Sequence, residues 1–190
     1  MMNLRNHMTG AVVLAMMIGC ATAPKTAGER ANLEAEADAT LGSMRQRDPG
    51  LDGMLRSSAA YVVFPSIGKG GLVAGAAYGR GILYERGRHA GYVELNQASI
   101  GAQVGAQSFA ELVIFADPVD VAKLKQGAYS MAANASAIAL TEGAAMSHDF
   151  EDGVAVFVVP KGGVMAELSV SGQKLNYTSG GAPVQQTVRR

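Results

Sequence analysis

Apolar residues return along this chain at different periods, and each period predicts a different element. Between residues 29 and 45, Leu33, Ala37, Leu41 and Met44 recur at helical spacing, with Glu34, Glu36 and Asp38 on other faces. That pattern predicts an amphipathic helix whose apolar stripe packs on the domain. A second, short helix is expected to start at Asp48-Pro49, a capping residue followed by proline at the first helical position, and to bury Leu51, Met54 and Leu55. Beyond it the pattern turns β-like. The runs 61–64, 112–115 and 154–159 are short and nearly continuously apolar, as in strands covered on both faces. In 164–170, Val164, Ala166, Leu168 and Val170 alternate with Met165, Glu167 and Ser169, the period of a half-buried strand.

One helix interrupts the β region with punctuation at both ends. Asp117 can cap it, Pro118 fits its first turn, Asp120 suits the positive end of its dipole, Val121 and Leu124 face inward, and Gly127 can end it. The alanine-rich stretch 128–140 fits helix or strand equally. An internal echo links two segments: "VVFPSIGKGGLVA" at 62–74 and "VFVVPKGGVMA" at 156–166. Each reads as an apolar strand, a proline, a Lys-Gly-Gly turn and a second apolar strand, so related hairpins in a pseudo-symmetric sheet or small barrel are expected. "SIGAQVGAQ" at 99–107 is a weaker third segment with spaced glycines.

The glycines in and around these segments decide between a phosphate cradle, a linker and crowded strands. A phosphate loop needs Ser or Thr after its lysine, but Lys69 is followed by Gly70; "GAAYGRGILYERG" leads into β-like residues where a dinucleotide fingerprint would enter a helix. A linker would be polar, whereas these glycines alternate with Leu, Val, Ala, Tyr and Ile. Gly70, Gly71, Gly75, Gly79, Gly81, Gly101, Gly105, Gly162 and Gly163 are therefore read as structural, marking bulges, bends or close backbone approach in a strongly coiled sheet. The fold class expected is α+β: a strongly twisted, mainly antiparallel sheet or small barrel-like β body with two N-terminal helices and one helix near 118–126.

The first twenty residues follow another logic. Arg5 and His7 precede the apolar run "AVVLAMMI" at 11–18, which ends in Gly19-Cys20. Eight residues are too few to cross a bilayer, which takes about 20 apolar residues, and the arrangement is that of a signal peptide. "MIGC" at 17–20 resembles the lipobox of bacterial lipoproteins, with Met17 where leucine is usual. Cys20 is the one cysteine in the chain, so internal disulfides are excluded and lipid attachment is the expected fate of its sulfur. The resemblance implies three acyl chains, enough to hold a domain at a membrane for its lifetime. Ala21 after the cysteine implies sorting to the outer membrane of a Gram-negative cell. The expected division is a signal peptide at 1–19, an acylated tether at 20–28 with a reach of roughly 15 Å, and a single domain at 29–190. The chain is 48% hydrophobic and 17% charged, which suits one globular domain. Loss of Arg5 leaves 15 basic against 16 acidic residues, a formal charge of −1, so no global field draws the chain to nucleic acid or anionic bilayers.

"YVVFPSIGKGGLVAGAAYGRGILY", "SIGAQVGAQSFAELVIF" and "KGGVMAELSVSGQKLNY", in this order from about residue 54 to about 181, resemble the SYLF domain, the glycine-rich module of yeast actin-patch proteins and many bacterial lipoproteins. The resemblance implies a lipid-binding module without enzymatic activity, phosphoinositide-binding in some eukaryotic relatives and actin-binding in yeast ones. This chain lacks the SH3 or FYVE partner domains of those relatives, and Glu167 stands where small residues are usual.

Catalytic signatures are missing. There is no G-x-S-x-G elbow, and His89 and His148 stand far apart without metal-ligand spacing, so neither metal nor cofactor is expected. "HDFEDG" at 148–153 lacks the ligand spacing of a calcium loop and reads as an exposed turn. Lys69, Arg80, Arg86 and Arg88, with His89, are the candidate lipid head-group residues. If 72–84 and 91–96 pair through the turn "ERGRH", these cations could gather at one end of the sheet and meet phosphate groups. The function expected is a non-enzymatic outer-membrane lipoprotein, on the periplasmic face, whose domain binds phospholipid. The alternative is a structural protein of the cell envelope that docks another envelope protein or peptidoglycan by its sheet edge or glycine-rich face.

Overall fold

A computed structural model of the chain describes residues 24–71, 74–100, 106–127, 129–131, 136–162 and 172–180. Helices α1 (Ala27–Arg47) and α2 (Leu51–Ser57) lead into strands β1 (Ala60–Gly71), β2 (Ala74–Glu85), β3 (Arg88–Ile100) and β4 (Ala106–Phe115). Helix α3 (Pro118–Lys125), the short strands β5 (Tyr129–Ser130) and β6 (Ile138–Ala139), helix α4 (Ala144–Ser147), β7 (Val154–Gly162) and β8 (Lys174–Ser179) follow. The strands form one sheet in the order β5-β8-β3-β2-β1-β4-β7-β6. Every pairing is antiparallel except β6 with β7. The fold is α+β, with a sheet curled into a half-barrel.

Alternation along the strands gives the sheet an apolar layer on each face. On the outer face Tyr61, Val63, Ile82, Leu112, Ile114 and Phe157 meet Ala37, Leu41 and Met44 of α1 and Leu51 and Leu55 of α2. On the inner, concave face Val62, Phe64, Ile67, Leu95, Phe109 and Val158 close on one another and on Val121 and Leu124 of α3. Both layers are buried, which is why the runs 61–64, 112–115 and 154–159 are apolar at every position.

The helices follow their sequence signals, with shifts at the ends. Thr26 caps α1, its side chain accepting from the Glu29 N–H at 3.1 Å, and Pro24 is buried. The domain thus reaches into the stretch expected as tether. Asp117 caps α3 by accepting from the Val119 N–H at 2.7 Å, and Gly127 ends it at φ +88°. Asp48 does not cap the second helix as expected. Leu51 is the first helical residue, and the buried Asp48 carboxylate accepts from the Gly50 N–H at 2.9 Å and the Ala145 N–H at 2.7 Å. It ties the α1–α2 corner to α4.

The internal echo is realised differently from the expectation. Pro65 does not end the first strand. It lies where β1 shifts register against both neighbours, between Val63 and Ser66 on one side and Phe64 and Ile67 on the other, a bulge in which a missing N–H costs no ladder bond. Lys69, Gly70 and Gly71 continue the strand instead of turning it. Pro160 likewise lies inside β7, opposite Phe109 and beside a register shift in β4. The echoed strands β1 and β7 flank β4 on its two sides. In 128–140 the described residues hold the edge strands β5 and β6; the alternating strand expected at 164–170 lies outside the described residues, as do Gly101, Gly105 and Gly163.

Glycine is required in β2 where it passes the β1 bulge. A Cβ on Gly79 would stand 2.6 Å from Ile67 Cγ1, and one on Gly81 would stand 2.6 Å from the Val63 carbonyl oxygen and 2.7 Å from Phe64 Cδ1. The crowding expected at these positions is therefore backbone and core, not a phosphate.

Candidate functional site

The β2–β3 hairpin pairs as expected through Arg86 and Gly87, both at positive φ (51° and 73°), the backbone of a two-residue turn that matches strand twist. It does not gather the candidate cations. Arg86 and Arg88 are exposed at the turn. Arg80 sits further along β2 on the outer face, opposite Glu94 in register. Lys69 pairs with Ala77, eight positions along β2 from Glu85, roughly 27 Å from the turn at strand rise. It faces inward, on the side of Ile67, and is only 6% exposed. Register fixes these outcomes, since odd and even positions of one strand serve opposite faces.

His89 belongs to a different cluster. Its ring stands edge-on to Tyr92 and its Nδ1 lies 3.2 Å from Glu34 Oε1, the atom to which the Tyr92 hydroxyl donates at 2.9 Å. One helical turn on, Tyr84, stacked on Tyr61, donates to Asp38 at 2.6 Å. Glu34 and Asp38 thus clamp α1 to the sheet. Burial, followed by these carboxylate partners, raises both phenols, Tyr92 to about 12 and Tyr84 further, so both remain donors at physiological pH. His148 hydrogen-bonds the Ala144 carbonyl at 2.9 Å. The 148–153 stretch is an exposed turn at Asp152 and Gly153. Among the described residues no three His, Cys, Asp or Glu side chains gather where they could hold a metal ion.

Two places combine space or burial with chemistry. The first is a groove of about 250 Å³ on the outer face, between α1 and the strands β4 and β7. Its walls are Ala39 and Met44 from α1 and Ala110 and Val159 from the sheet, with the Thr40 and Ser43 side chains beside them and Lys161 at its end. Ala110 is buried on the sheet side, whereas Ala39 is exposed on α1. Pro160 sets Lys161 just past the end of the apolar run of β7, where it is exposed.

The second lies inside the half-barrel. Glu111 points from β4 into the concave layer between Phe64 of β1 and Val158 of β7 in register, and is fully buried. Gln173, equally buried and just ahead of β8, reaches across the curl and donates from Nε2 to Glu111 Oε2 at 3.1 Å. Burial pushes the carboxyl up to about 7, and the hydrogen bond from Gln173 offsets part of that rise. Glu111 Oε1 and Gln173 Oε1 have no hydrogen-bond partner. The pair joins walls of the sheet that lie four strands apart.

Compared with protein-family models and with curated proteins, the sequence gives no match. The functional reading therefore stands on the residues, their geometry and the resemblance carried by the three glycine-rich segments.

Sequence reasoning missed Lys161, Thr40 and Ser43 because a groove between a helix and a sheet has no local signature. Glu111 did have one. It is a single acid in the run "FAELVIF", 109–115, where both faces are expected to be covered.

Proposed function

We propose that the protein is a non-enzymatic lipoprotein of the outer membrane, tethered on its periplasmic face through acylated Cys20, whose curled β body binds phospholipid. The observation that carries this reading is the groove between α1 and the sheet. Its apolar walls, paired hydroxyls and terminal lysine match an amphiphile with an anionic head, and ligand sites are of this mixed kind. At about 250 Å³ it lies below the usual range for whole drug-sized ligands, roughly 300–1,000 Å³, so it takes part of one acyl chain and leaves the rest in the bilayer. The SYLF resemblance points the same way. An anchor keeps the domain at the lipid surface, so the affinity of the groove itself can be modest and still count.

The test uses the mature chain from residue 20 with Cys20→Ser, which removes the acyl anchor and keeps Pro24 and the Thr26 cap. Reversing a charge at a lipid surface changes binding by about 2 kcal/mol, roughly 30-fold. Lys161→Glu is expected to weaken sedimentation with phosphatidylglycerol vesicles by that order. Unchanged binding in Lys161→Glu, with loss in the Arg86→Glu/Arg88→Glu double variant, would move the contact to the hairpin end and remove the groove from the account.

A further inference from the structure

Inside the half-barrel, Glu111 of β4 and Gln173 at the start of β8 meet from opposite walls, and each wall fixes its residue. Glu111 stands in the ladder between Phe64 and Val158. The Gln173 carbonyl accepts from the Met131 N–H at 2.9 Å, just ahead of the pairing of β8 with β3 and β5. Both side chains are fully buried. One hydrogen bond joins them, from Gln173 Nε2 to Glu111 Oε2 at 3.1 Å. The other two oxygens, Glu111 Oε1 and Gln173 Oε1, have no hydrogen-bond partner among the described residues. Each shares its carbon with an atom of the existing bond, so both border it.

An ionised carboxylate can only accept hydrogen bonds, and so can a carboxamide oxygen. With Glu111 ionised, the buried pair would therefore hold two acceptors and no donor for either, which is costly. A proton on the carboxyl removes both deficits, because it creates an O–H donor beside the free carboxamide oxygen. No nearby charge provides another remedy. The titratable side chains on the elements around this layer are Lys69 of β1, Tyr129 of β5, Tyr177 of β8 and, on α3, Asp120, Lys123 and Lys125. Tyr177 donates to the Ala90 carbonyl, Lys123 binds Asp120 and Lys125 binds Glu85. Lys69 stands beside Gln107, four residues along β4 from Glu111, roughly 13 Å away at strand rise.

We propose that Glu111 and Gln173 form a proton-closed latch across the half-barrel, a cyclic acid–amide pair in which Glu111 Oε1–H donates to Gln173 Oε1 while Gln173 Nε2–H donates to Glu111 Oε2. Loss of the proton leaves one hydrogen bond and a buried charge between the walls, and the β8 wall is released from β4. The direction in pH follows from burial, which raises the folded carboxyl from 4.5 to about 7. Closure is complete below 4.5 and is lost as pH rises through about 7. The latch lies on the opposite face of the sheet from the groove beside α1, so its failure and the failure of that groove are separate results.

The experiment measures native-state hydrogen exchange of the β8 amides in the mature Cys20→Ser chain at pH 5 and pH 8, corrected for intrinsic exchange. With Glu111 present, the opening constant of β8 is expected to rise at least tenfold between the two, out of a ceiling of roughly 300-fold set by a shift from 4.5 to about 7. Glu111→Gln restores the ring with a second amide, N–H replacing O–H, and is expected to hold β8 at its pH 5 level at both values. Glu111→Leu also removes the charge but leaves Gln173 buried without a partner, and is expected to open severalfold more often than Glu111→Gln at both. Gln173→Leu gives an independent readout should Glu111→Leu not fold: it keeps the carboxyl and removes its partner, so the buried carboxylic C=O stretch at pH 5 is expected at higher frequency than with Gln173 in place. The inference is overturned if β8 opens equally at pH 5 and pH 8 with Glu111 present, if Glu111→Gln and Glu111→Leu behave alike, or if the carboxylic stretch is the same with and without Gln173.

Discussion

Replacing Glu111 by Gln will remove a pH dependence of stability that the wild type carries between about 4.5 and about 7. The carboxyl is buried in the concave layer, and its folded value of about 7 lies above its ordinary 4.5. Below 4.5 the group is protonated in both folded and unfolded chains and costs nothing. As pH rises from there the unfolded chain releases the proton first, so stability falls, and it levels off above 7 once the folded carboxyl has ionised too. The span corresponds to roughly 3 kcal/mol. The difference between wild type and Glu111→Gln in urea unfolding is the readout, because every other titrating group cancels in it. Glu111→Gln is expected to be more stable than wild type by about 3 kcal/mol at pH 8, relative to their difference at pH 4.5. Parallel pH profiles for the two proteins would show that Glu111 is not held in a dry environment.

The second large effect is at Gly81. A methyl group there meets a carbonyl oxygen and a fully buried ring, Val63 O at 2.6 Å and Phe64 Cδ1 at 2.7 Å, and neither is the free end of a flexible side chain. Overpacking of this kind costs up to about 3 kcal/mol and occasionally more, so Gly81→Ala should lower the thermal midpoint by roughly 6–12 °C. Gly68→Ala is the matched control. It lies in the neighbouring strand, and its added Cβ meets nothing within 4 Å, so its effect should stay within about 0.5 kcal/mol of wild type. Equal losses at the two positions would mean that glycine acts here through chain flexibility rather than close approach.

These glycines show how far the sequence could be read. Apolar runs such as 61–64 and 112–115 identify strands with two covered faces, and Asp117-Pro118 with Gly127 delimits α3, because these signals are local. Pro65 and Lys69-Gly70-Gly71 mislead because a strand that absorbs a proline in a bulge uses the same residues as a turn. Only the pairing with β2 and β4 distinguishes them. The candidate cations disperse for a related reason. Their sequence proximity reflects a single hairpin, but register sends Lys69 inward, Arg80 outward and Arg86 and Arg88 to the tip. Partners far apart in sequence, such as Glu111 with Gln173 and Tyr84 with Asp38, depend on the curl of the sheet and the docking of α1, and no local pattern encodes either.

The proposed function requires that the β body recognise lipid without help from the proposed acyl anchor. Sedimentation of the mature Cys20→Ser chain with phosphatidylglycerol vesicles measures this directly. The account predicts saturable binding by this unacylated chain that anionic lipid strengthens. A protein that stays wholly in the supernatant at every lipid concentration, while remaining folded, would contradict it.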